Sequence, residues 1–217
     1  MPVTARKILA PLMLAVVVGG CAGKGQIDLE GGVGITSVRS ACPSVGVPAS
    51  TGDITMFDPP ASRDASAIDV TAVMTNVRST CDETGADIVT TVRFDVRASR
   101  LRGDAPRDVT VPYFITIVRG GTAVVAKRIG RVNVHFDAGQ TRAQTSGTAS
   151  AMVARSAATL PEDVRKKLTQ KRKAGDSNAA VDPLSAPDVR QAVLRASFEA
   201  LVGFQLTDEQ LKYNATR

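Results

Sequence analysis

Tryptophan is absent from the sequence, aromatic residues make up only 4% of it, and there is one histidine and three cysteines. A buried core must therefore rest on Val, Ile, Leu, Ala and a few Phe. One histidine limits the chemistry. A Ser-His-Asp or Cys-His centre would have to use His135, and no G-x-S-x-G elbow is present. The glycine clusters at 31–34 and 120–121 lack the G-x-x-x-x-G-K-[ST] pattern of a phosphate loop. Asp53, Asp58, Asp64 and Asp69 are spaced too irregularly for a calcium loop. Basic residues are not interleaved with aromatics, so nucleic acid is not an expected partner. These absences point away from catalysis, and no cofactor is expected.

The charge that is present is local. The formal net charge is +6. Most of it lies in residues 162–173, where Arg165, Lys166, Lys167, Lys171, Arg172 and Lys173 face only Glu162 and Asp163. On a helix these cations would ring the axis rather than line one face. They are a candidate polyanion contact, for anionic lipid headgroups or cell-wall polymers, or else a solvated excursion.

The N-terminus reads as a targeting segment. Arg6 and Lys7 precede an uncharged, mostly apolar run from Ile8 to Val18. That run suits a signal peptide and falls short of the roughly 20 residues needed to span a bilayer. Val18-Gly19-Gly20-Cys21 follows: an aliphatic residue, two small residues and a cysteine. This resembles the lipobox of bacterial lipoproteins, and the resemblance covers residues 1–21 only. It implies a signal peptide over 1–20 and a lipid-bearing Cys21 as the first mature residue, with the lipid as the membrane partner. Ala22 after the cysteine implies anchoring on the periplasmic face of the outer membrane, with the inner membrane as the alternative.

With Cys21 carrying lipid, Cys42 and Cys81 remain, an even number in an oxidising compartment. They are expected to form a disulfide. One histidine and two bridged cysteines leave no ligand set for structural zinc, so no metal is expected.

Residues 22–35 are rich in glycine and read as a tether, with the folded part over 36–158. From about 66 to 155 the pattern is β. Ile68, Val70, Ala72 and Met74 alternate with polar residues, as do Val92, Phe94, Val96 and Ala98. Val109, Val111, Tyr113, Ile115 and Ile117 continue the alternation, with Phe114 and Val118 suggesting cover on both faces. Pro112 predicts an edge or a bulge there. Gly120-Gly121 between apolar runs predicts a hairpin, because a type I′ turn needs positive φ at both central residues. Val132, Val134 and Phe136 extend the second arm, and one more strand is expected over 141–153. Strands without intervening helices predict a mainly β fold: an antiparallel β-sandwich, immunoglobulin- or fibronectin-like, with a C-terminal α-helical extension.

After Thr159 the pattern changes. Thr159-x-x-Glu162 reads as a capping box opening a basic helix, and 174–187 as a flexible linker, so 159–187 forms one helix-and-linker unit. Over 188–217 C-terminal helices are expected. Val193, Phe198, Leu201 and Phe204 supply an apolar helix face for a partner protein, and Thr207-x-x-Gln210 caps a last short helix. The functional expectation is a lipid-anchored envelope protein that binds rather than catalyses, an accessory or assembly subunit with an envelope protein partner. A lipid-, glycan- or peptide-binding envelope protein, or an unrecognised hydrolase, is the alternative.

Overall fold

The computed structural model describes residues 40–173 and 175–216. The expected signal peptide over 1–20, the lipid-bearing Cys21 and the tether over 22–35 lie outside the described residues. The elements run in the order β1 Ser44–Gly46, β2 Asp53–Phe57, β3 Ile68–Asp82, β4 Asp87–Arg100, β5 Arg107–Arg119, β6 Ala123–Phe136, β7 Arg142–Ala154. They continue with α1 Arg155–Ala158, α2 Glu162–Thr169, α3 Pro187–Arg195, β8 Phe198–Phe204 and α4 Asp208–Thr216.

The strands form two four-stranded sheets, ordered β1-β8-β5-β6 and β2-β3-β4-β7. Every pairing is antiparallel except β1 with β8. The strict alternation seen in the sequence is what builds this. In β4, Ile88, Val92, Phe94, Val96 and Ala98 are buried while Arg93, Arg97 and Ser99 are exposed. A period of two puts one set on each face of the sheet. Phe94, Phe136, Phe204, Ile54, Ile88 and Ile117 are among the fully buried side chains, and they fill one core between the sheets. The molecule is thus mainly β and sandwich-like.

The predicted hairpin and the two-sided cover of β5 are present, but Pro112, expected at an edge or a bulge, lies in an interior strand whose register shift falls at Ile117/Val118. Gly120 and Gly121 take φ of 62° and 79° at the hairpin turn. Phe114, Thr116 and Val118 are buried on the outward face of β5. Pro112 lies where β8 has already ended: pairing with β8 runs from Tyr113 to Arg119, and the Pro112 carbonyl accepts from Gln205 N–H at 2.9 Å. The missing proline donor therefore points at a strand end, a local edge inside an interior strand.

Two rings cross the core next to two glycines. Phe94 pairs with Gly147, Tyr113 pairs with Gly130, and the rings meet edge to face with centroids 5.0 Å apart. A Cβ on either glycine would overlap its partner's ring. Tyr113 also donates its hydroxyl to the Thr148 carbonyl at 2.7 Å, which ties β5 to β7 of the other sheet.

The C-terminal third corrects the sequence reading. The expected partner-facing helix through Val193, Phe198, Leu201 and Phe204 is instead helix α3 followed by strand β8. Only Val193 is helical, and it is half-buried against a small cluster of Val164, Leu168, Val189 and Ala192. Phe198 and Phe204 point into the core on one face of β8, while Leu201 lies on the other. The reason is that FEALVGF satisfies both periods: its apolar residues fit a helix at i, i+3 and i+4, and Phe198, Ala200, Val202 and Phe204 fit a strand. Pairing to β5 and β1 on both sides decides for the strand. The sandwich therefore does not end at residue 158, since β8 is one of its interior strands.

The expected linker is also built differently. Arg172 is buried and donates to the carbonyls of Asn178 and Val181. A 3-10 turn at Pro183–Ser185 is capped by Asp182, whose carboxylate accepts from Leu184 N–H at 2.9 Å. The Thr159–Glu162 capping box is not formed, because Pro161 precedes the helix and the Thr159 hydroxyl bonds back to Arg155. The Thr207–Gln210 box is formed reciprocally, at 2.9 and 3.3 Å.

Candidate functional site

Cys42 and Cys81 form the expected disulfide, with Cα atoms 6.1 Å apart. Cys42 precedes β1 of one sheet and Cys81 is the last but one residue of β3 in the other, so the bond clasps the two sheets at one end of the sandwich. The turn between β5 and β6 is at this end too. The first described residues, Ser40 to Cys42, share a shallow recess with Gly120, Gly121 and Phe198. Ser40, the first described residue, therefore lies beside the β5–β6 turn.

The basic segment is divided. Lys166 pairs with Glu162 at 3.0 Å one helical turn away, and Lys167 pairs with Asp188 of α3 at 2.8 Å. Arg172 is internal, as described above. Arg165 and Lys173 are exposed, as is Lys171. The six cations do not form one free surface: part of their charge is used to hold the small helical unit together.

A different basic surface appears on the outward face of the β2-β3-β4-β7 sheet. Arg78 and Arg93 stand directly opposite each other across β3 and β4, Arg97 follows on the same face of β4, and Arg142 on β7 pairs with Ser99. All four are exposed. None has a carboxylate within ion-pair distance among the described residues. Asp95 sits among them but is occupied otherwise. Hydrogen bonds from Ser146 at 2.8 Å and Asn76 at 3.0 Å hold its carboxyl below the ordinary value. Asn76 reaches it from a left-handed position, φ 51°, at the bulge of β3. Residue-by-residue reading of the sequence missed this face, because the four arginines come from three strands and only the register assembles them.

The opposite end of the sandwich is organised by a buried cation. Arg100 is 6% exposed. It donates to the carbonyls of Gln140 at 2.8 Å, Ala105 at 2.6 Å, Gly103 at 3.2 Å and Asp137 at 2.9 Å, and it stacks over the Phe136 ring at 5.0 Å. One side chain thus fixes the β4–β5 and β6–β7 loops together. Beside it, Arg107 holds Asp69 in a two-pronged bond at 2.8 and 2.6 Å, and that bond keeps the Asp69 carboxyl below its ordinary value. Arg102 reaches Asp58 at 3.1 Å.

His135 lies on the outward face of β6, opposite Val134 and Phe136. Its Nδ1 is 2.8 Å from Asp108 and its Nε2 is 3.4 Å from Asp137. The hydrogen bond to Asp108 raises its pKa. Among the described residues no three His, Cys, Asp or Glu side chains converge on a metal-sized site, and no helix is long and apolar enough to cross a membrane. No protein-family model, curated protein or solved structure matches the chain.

Proposed function

We propose that the protein is a lipid-anchored envelope protein that acts by binding, as an accessory or assembly subunit held at the outer membrane. The observation that carries the reading is the Cys42–Cys81 disulfide. Disulfides persist in oxidising compartments such as the periplasm. With those two cysteines joined, the one left is Cys21, which stands at the end of the lipobox-like Val18-Gly19-Gly20. The bond clasps a sandwich whose intersheet space is filled by side chains, so the surfaces open to a partner are its outer faces. Of these faces, the one bearing Arg78, Arg93, Arg97 and Arg142 is the best suited to an acidic protein partner, because its guanidinium groups are exposed and can bind carboxylates in pairs.

The test is fractionation of cells expressing the tagged chain and its Cys21→Ala variant, combined with crosslinking in the cell. Membrane retention that depends on Cys21, and a stoichiometric protein crosslinked to the native chain and lost in Arg93→Glu/Arg97→Glu, are expected. Membrane retention unchanged in Cys21→Ala would overturn the anchor. A crosslinked species that survives the charge reversals would overturn the docking face.

A further inference from the structure

We infer that the tip of the β5–β6 hairpin is a membrane-contacting surface that lies on an anionic phospholipid bilayer. The inference rests on the lipid-anchor reading for which bilayer is near, and on the hairpin's own residues for the contact. In the first half of β6 the burial alternation fails: Ala123 through Ile129 are all exposed, on both faces of the strand. Val124 is 65%, Val125 48% and Ile129 59% exposed, a concentration of large apolar side chains in water that the rest of the sandwich does not repeat within one stretch. Such a patch calls for a partner.

The charges beside it name that partner's chemistry. Arg119, Lys127, Arg128 and Arg131 flank the apolar residues, and from Arg119 to Phe136 the sequence has no Asp or Glu. Lys127 places its ammonium over the Phe114 ring at 5.1 Å, and Arg119, Arg128 and Arg131 are exposed. Apolar residues that enter the headgroup boundary, ringed by cations that meet phosphates, are what binding to an anionic interface requires. A second copy of this strand would bring like charges together, so self-pairing is disfavoured.

The position of the tip is an independent argument. Ser40 to Cys42 line the same recess as Gly120 and Gly121, so Ser40, the first described residue, lies next to the hairpin turn. Residues 22–39 reach no more than roughly 60 Å when fully extended. A bilayer holding Cys21 therefore lies within reach of the end of the sandwich that carries Val124 and Val125, with Ile129 further along the same strand. The Arg100 loops lie at the opposite end, one β5 length away, about 40 Å, so the same tether brings them to the bilayer only with most of its length drawn out.

The absence of tryptophan supplies the reporter. Full chain bearing Val125→Trp is reconstituted in phosphatidylcholine vesicles with or without phosphatidylglycerol, and quenching by doxyl-labelled lipid is read. Leu101→Trp, an exposed apolar position at the opposite end, is the control. The mass of the N-terminal peptide reports the acyl group separately. Expected are a blue-shifted, lipid-quenched Trp at 125 and an unquenched one at 101. Quenching should be stronger with phosphatidylglycerol and fall at least about tenfold in affinity with Lys127→Glu/Arg128→Glu. An acylated chain whose Trp at 125 stays in water, or equal quenching at both positions, overturns the hairpin contact and leaves the anchor standing. A chain without acyl group whose Trp at 125 is still quenched by added phosphatidylglycerol vesicles overturns the anchor and supports the hairpin.

Discussion

Tyr113 and Gly130 face each other across the β5–β6 ladder, and the Tyr113 ring occupies the space that any side chain at position 130 would need. The ring cannot move aside freely. Phe94 holds it edge to face, and its hydroxyl is bonded to the Thr148 carbonyl. Gly130→Ala should therefore destabilise by about 1–3 kcal/mol, the usual range for forcing extra volume into a packed site. Tyr113→Phe should lose only the hydroxyl's bond, about 1 kcal/mol. Urea denaturation of the two variants gives the ordering, and an equal or reversed ordering would refute the wedge.

Arg100→Met keeps much of the side chain's bulk but removes its hydrogen bonds to the carbonyls of Gly103, Ala105, Asp137 and Gln140. The Gly103 and Asp137 carbonyls keep the N–H groups of Gly139 and Gln140, so the loss at Ala105 and Gln140 dominates and should cost on the order of 2–3 kcal/mol. Arg100→Lys should recover only part, since an ammonium cannot reproduce the planar fork. Amide hydrogen exchange should show both loops opening together in the Met variant. Protection unchanged in either loop would mean that Arg100 does not join them.

Asp69 and Arg107 give a stability contribution with a definite pH dependence. Asp69 has a folded pKa below the unfolded value of about 3.9, chiefly through the hydrogen bonds from Arg107. Its contribution is fully present above the unfolded value and is lost as pH falls through the lower folded value. Arg107 is partly open to solvent, so the pair is worth about 1 kcal/mol. The difference in urea midpoint between the native chain and Asp69→Asn should be constant from pH 7 to about pH 5 and shrink below pH 4. A difference that grows on acidification would contradict the assignment.

Joining Cys42 to Cys81 closes a loop with a sequence separation of 39. In the chain-entropy model that is worth about 4 kcal/mol. The double variant Cys42→Ser/Cys81→Ser should lose that much, and thiol counting on the denatured native chain should find neither cysteine free. A loss below about 1 kcal/mol would mean that the unfolded chain gains little freedom without the bond.

A chain ending at residue 187 removes β8 and leaves β5 and β1 without their shared neighbour. It should fail to fold, read as loss of the β circular-dichroism signal and of cooperative melting. A folded, soluble product would show that the last strand is an accessory.

The sequence made β3, β4 and β5 legible because each alternates over many residues, and the hairpin into β6 legible because two adjacent glycines stand between apolar runs. β8 was hidden because its apolar residues serve two periods and a true helix runs directly into it. Arg100 left a readable trace: it continues the inward series Val92, Phe94, Val96, Ala98, and a cation in an apolar register asks for partners. The arginine face and the two ring–glycine contacts left none, since both depend on register between strands. The basic segment looked like one unit only because charge along a chain does not reveal which cations are already paired.

The strand order carries a consequence for how the molecule comes into being. β1 lies near the beginning of the described fold, yet its sheet neighbour is β8, which lies near the end. Most of the intervening chain must exist before that pairing can form, whichever end arrives first at its destination. A ribosome or an export channel delivering the protein in order would thus release an open, half-tiled sheet with a bare row of backbone groups on β5. Closure waits for the last strand, so the interval between delivery of β7 and of β8 is when the protein most needs a chaperone.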